Sequence, residues 1–142
     1  MSVLLNNAVR DELRRAWVES QPGPRGGHEE GGFVLRQADG LLTIERWPRG
    51  AQDEIEVPDH SGGRRGGAVI VATFHTHPNT GPDYLQEPGP TDIRGVTNDP
   101  DLRRPEFEGE YVISLNTVYV IRPDGVVESV GDTATLLALE RG

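Results

Sequence analysis

The chain has no cysteine, which rules out disulfides, thiolate-bound metals and thiol nucleophiles. Basic residues are scarce as well: 14 against 23 acidic ones, for a formal charge of −9 and a pI near 4.8. No basic stripe is present, so nucleic acid is not an expected partner. A partner with a basic patch or tail suits this charge better. Long hydrophobic runs are also missing. The N-terminal "MSVLLNNAVRDELRR" holds a three-residue apolar stretch and then acquires charge, so it reads as neither a signal peptide nor a membrane span. A cytoplasmic protein is the expectation. Glycine and proline are plentiful, 18 and 11 of 142 residues, which points to many turns. With 35% hydrophobic residues, this length fits one domain over 1–142 with one real core.

Apolar periodicity predicts the elements. Leu5, Val9, Leu13, Ala16 and Trp17 repeat at helical steps, with Ser2 as a candidate cap and "QPGPRGG" as the stop. "GGFVLRQADGLLTIERW" reads as a hairpin around "ADG", and the alternation in "DEIEVP" (53–58) as a further strand. "GAVIVATFH" is the longest β-type run and the expected central strand. A long loop (79–92) leads into a short helix at "PTDIRGVTN". "EYVISL", "TVYVIRPDG" and "VVESV" follow as strands, and "DTATLLALERG" as a closing helix capped by Asp132. The expected class is α/β or α+β: a single mixed sheet flanked by helices.

Two of the four histidines, His75 and His77, stand one residue apart in "FHTHP", where the apolar run meets a proline. Side chains at i and i+2 of a strand share a face, so the pair points one way while Ile70, Ala72, Phe74 and Thr76 take the other. Such a pair can hold one metal ion with room for a third ligand. The spacing alone leaves open two solvated histidines. Cupins need a glutamate where Gly81 and Pro82 stand, histidine-triad hydrolases a third histidine where Asn79 stands, and zinc deaminases a cysteine pair. His28 and His60, in glycine-rich loops, read as solvated, with His28 bordering the site. Trp17 and Trp47 read as packing residues.

"HTHP", followed by Asp92 in "PGPTD" and preceded by a glutamate in "HEEGGFVL", resembles the JAMM metalloproteases, the JAB1/MPN domain, and in "EEGGFV" its bacterial JAB-like members. The resemblance extends over most of the chain and implies a JAB/MPN fold of cytidine-deaminase-like architecture. It also implies one Zn²⁺ per chain on His75, His77 and Asp92, with Glu29 as the proton carrier. The E-x-x-G spacing to Gly32 favours Glu29 over Glu30, which reads as an exposed turn residue. Two departures stand out. Asp92 lies fifteen residues beyond His77, about four more than the family spacing, a length surface loops tolerate. Gly89 replaces the family serine, leaving Thr91 or the Gly89 backbone N–H as substitute oxyanion donors.

In that chemistry the ion activates water and polarises a carbonyl, while the carboxylate moves the proton to the leaving amine. The implied function is hydrolysis of a peptide or isopeptide bond, with a protein or peptide substrate such as the Gly-Gly tail of a ubiquitin-like protein. A non-catalytic interaction module and a zinc hydrolase for another amide are the alternatives. The internal "GGRRGG" (62–67) reads as a flexible loop.

Overall fold

A computed structural model describes residues 2–139. It is an α+β fold built on a single mixed sheet of seven strands flanked by a few helices. In chain order the elements are α1 (Asn7–Glu19), β1 (Gly31–Arg36), β2 (Leu42–Arg46), β3 (Arg64–Arg65), β4 (Ala68–Thr76), α2 (Pro90–Thr97), β5 (Glu110–Ile113), β6 (Thr117–Ile121), β7 (Val127–Asp132) and α3 (Thr133–Leu136). The strands lie in the order β2-β1-β4-β5-β6-β7, with β3 paired to β4. Among the strands of the described residues only the β4–β5 pair is parallel; the other pairs are antiparallel. The apolar run at 68–76 is therefore central, as its composition predicts.

Each face of the sheet carries its own core. Val9, Leu13, Ala16 and Trp17 of α1 cover Val34, Ala72, Phe74, Tyr111 and Ile113. On the other face α2 sets Val96, and the following turn Leu102, against Phe33, Ile70, Val112 and Ile121. Ile70 thus sits on the face of His75, not opposite it as strict alternation predicts. The register of β1 on β4 steps from Val34↔Ala72 to Leu35↔Ile70, so Val71 is bulged and the face assignment flips below it.

Other expectations need adjusting. Ser2 caps a short 3₁₀ turn at Val3–Leu5, and Asn6 caps α1 by accepting from Val9 N–H. Residues 53–58 form no strand. Within it Glu54 O accepts from Ala51 N–H and Pro58 O from His60 Nδ1–H, and an alternating segment without a partner strand has no ladder to join. Asp132 caps α3 as expected, through Thr135 N–H, but the helix ends at Leu136, and residues 140–142 lie outside the described range. No helix among the described residues is long and apolar enough to cross a membrane.

Candidate metal centre

Strand register builds the site. Gly31 pairs with His75, and the pairing continues upstream where Thr76 N–H donates to Glu30 O and Glu30 N–H to Thr76 Oγ1. By alternation Glu29 falls on the histidine face and Glu30 on the face of α1. The glycines of "EEGG" permit this approach. A Cβ on Gly31 would stand 2.5 Å from the Trp47 ring and 2.7 Å from Phe74 O.

From beyond the long loop, α2 brings Asp92 over the strand end. The ligand atoms of His75, His77 and Asp92 all lie within 4.8 Å of one another. His75 Nε2 stands 3.3 Å from Asp92 Oδ1, and His77 Nε2 3.3 Å from Asp92 Oδ2. Two ligands about 2.1 Å from one tetrahedral ion are about 3.4 Å apart, so the donors fit a zinc-sized ion. The two ring Nδ1 atoms point away from the cluster and each has an acceptor: Glu110 Oε2 at 2.6 Å for His75, Gln86 O at 3.0 Å for His77. Glu110, on β5, was not singled out by any pattern in the sequence.

The site is strongly polarised. Burial opposes protonation of His75, but the Glu110 and Asp92 carboxylates on either side outweigh it and hold its pKa well above the ordinary value. Burial would raise Asp92, yet the hydrogen bonds from His75, His77 and Gly89 N–H keep it far below the usual carboxylate range. Glu29 is only 9% exposed. Desolvation pushes its pKa up to about 7 against the pull of His75 and His77. Glu29 borders a cavity of about 240 Å³ on the His75 side and a second opening beside His77; Asp53, Thr91 and Asp92 line both.

Several expected assignments change. Glu30 is buried, with Oε2 2.7 Å from His28 Nε2 and Oε1 2.5 Å from Arg46 Nη2, so it is no exposed turn residue. His28 is buried with it rather than solvated, and serves the α1 side. His60 is also not solvated: its Nε2 lies 2.6 Å from Asp99 Oδ2 and its Nδ1–H donates to Pro58 O. His60, Asp99 and Asp101 form a second grouping of potential ligands. The 2.6 Å separation there is that of a direct ion pair, not of two ligands sharing an ion. The Gly89 N–H already donates to Asp92 Oδ2 at 2.8 Å, which removes it as an oxyanion donor. Thr91 remains, among the residues lining both openings. Trp17 and Trp47 are packing residues, each about 5% exposed or less.

No family model matches the chain, and no curated protein does. Among solved structures it is similar to the solution structure of a protein from Salinibacter ruber at 17% identity. The alignment covers 89% of this chain and 87% of that one, with a TM-score of 0.44.

Proposed function

We propose that the protein is a zinc-dependent hydrolase of peptide or isopeptide bonds, of the JAMM type. The observation that carries this reading is the convergence of His75, His77 and Asp92 with a buried Glu29 on one face. His75, His77 and Asp92 would hold one ion, which when bound supplies an acidified water and a polarised carbonyl. Glu29 takes the proton of the attacking water on a carboxylate oxygen and returns it to the leaving nitrogen, a task suited to a carboxyl whose pKa is near 7. Asp92 is kept ionised by its hydrogen bonds. The Thr91 hydroxyl is the remaining donor for the oxyanion, since Gly89 N–H is occupied. A substrate segment that reaches the scissile position must lie extended across the two openings. That favours a slender tail such as Gly-Gly, from a ubiquitin-like protein or another peptide. A cytoplasmic setting belongs to the same proposal.

One observation favours a second reading, a metal-holding module for protein interaction: position 89 offers neither a hydroxyl nor a free N–H. Purified protein, assayed with and without chelator against Gly-Gly-tailed fusions, separates the two. Cleavage that chelator abolishes and zinc restores is expected. Zinc binding with no cleavage of any fusion would leave the interaction module standing.

A further inference from the structure

Glu110 lies thirty-three residues beyond His77 and reaches the site only through topology. Parallel pairing of β5 on β4 sets Glu110 beside Thr73 and Val112 beside His75. On a pleated sheet this places Glu110 on the face of Thr73 and His75. Its two oxygens are divided. Oε2 accepts from His75 Nδ1–H at 2.6 Å, and Oε1 accepts the Thr73 hydroxyl at 2.9 Å.

We propose that Glu110 is the positioning residue of the metal centre: it fixes the tautomer and tilt of His75 and sets a negative charge behind its ring. This rests on the metal-site reading above. A neutral imidazole carries one N–H, and a carboxylate on Nδ1 holds it there, leaving the Nε2 lone pair for the ion that His77 and Asp92 would share. Thr73 stops the carboxylate from rotating, and His75 is nearly wholly buried, so the ring has one orientation. Charge supplies the second argument. Two neutral histidines and Asp92 leave a divalent ion with one uncompensated positive charge, which a buried site does not tolerate well and which Glu29 offsets only while it is ionised. Glu110 adds a carboxylate on the His75 side. The histidines are therefore unequal. His77 is held by an uncharged carbonyl from a loop, Gln86 O, whereas His75 is held by an anion from the sheet.

The test compares Glu110→Gln, Glu110→Ala and Val112→Ala with wild type, reading zinc affinity by competition with a chromophoric chelator and Co²⁺ absorption. Glutamine can still accept from His75 Nδ1–H and donate to Thr73 Oγ1, so it removes charge and keeps geometry. Its affinity should fall about tenfold, and that of Glu110→Ala about a hundredfold, with an altered Co²⁺ spectrum. Val112→Ala sits opposite His75 and removes packing only. It should unfold at lower urea yet keep zinc affinity within about twofold. If Glu110→Ala does not fold, Glu110→Gln decides. Wild-type affinity in both Glu110 variants would overturn the proposal, as would a loss in Val112→Ala equal to that in Glu110→Ala. Failure of wild type to bind zinc would instead overturn the metal-site reading and this proposal with it.

Discussion

Burial raises the Glu29 carboxyl to about 7, while Glu30, one residue on and equally buried, is clamped between His28 and Arg46. Substitution should separate them. Glu29→Gln is expected to keep fold and zinc and to lose hydrolysis, because a proton carrier is removed and a ligand is not. Glu30→Gln should retain turnover per folded molecule but lose about 1–3 kcal/mol of stability, since Arg46 and His28 lose an anionic partner in a buried site. A turnover assay alongside urea titration and zinc analysis checks both; identical behaviour of the two variants would contradict the assignment. The oxyanion position yields another prediction. Thr91→Val should lower kcat about 10²–10³-fold with little change in KM, the signature of a bond made in the transition state. Gly89→Ser is sterically admissible: the new Cβ would stand 3.1 Å from the exposed end of Leu85, which can move, and 3.8 Å from Asp92 Oδ2. Higher turnover in Gly89→Ser with no effect of Thr91→Val would place the donor at position 89.

Among the elements, β1 packs closely on its neighbours at its glycines. Gly31→Ala would drive a methyl into Trp47 and the β4 backbone, both rigid. A loss of about 1–3 kcal/mol is expected, read as a lower urea midpoint, with zinc affinity falling as β4 is displaced. The loop before β3 is tied to the turn after α2 by the His60–Asp99 pair, with Asp101 receiving Gly62 N–H. Burial lowers the His60 pKa, but the Pro58 carbonyl and Asp99 together raise it above its ordinary value of 6.5. A raised folded-state pKa adds stability that is fully present below the unfolded value and fades as pH climbs through the folded one. The stability gap between wild type and His60→Gln should accordingly be wide near pH 6 and narrow towards pH 9. A gap that does not change over that range would show that the pair carries no proton-linked stability.

At the scale of the whole molecule, two apolar cores on opposite faces hold the sheet without help from the ion site, which lies at the end of β4. Chelation should therefore leave far-ultraviolet circular dichroism intact. It should still lower Tm, because an ion that binds only the folded chain stabilises it by about 2.7 kcal/mol at a hundred times Kd. For a chain of this length that corresponds to roughly 5–10 °C. Unfolding on chelation at 25 °C would make the ion structural instead.

Local covalent geometry made part of this legible in the sequence. The two-residue period of a strand puts His75 with His77 and forces Glu29 and Glu30 apart, whichever strand lies alongside. Helical spacing marked α1, and the proline and acid of "PTD" marked the start of α2. What depends on distant pairing was not legible. Glu110 acquires its place from the parallel register of β5, and Ile70 its face from a bulge at Val71; neither leaves a mark in its own neighbourhood. "DEIEVP" alternates like a strand yet forms none, and in polar, glycine-rich sequence His28 and Glu30 are buried and His60 is half-buried. Burial is decided by which segments cover one another, and only the folded chain brings those segments together.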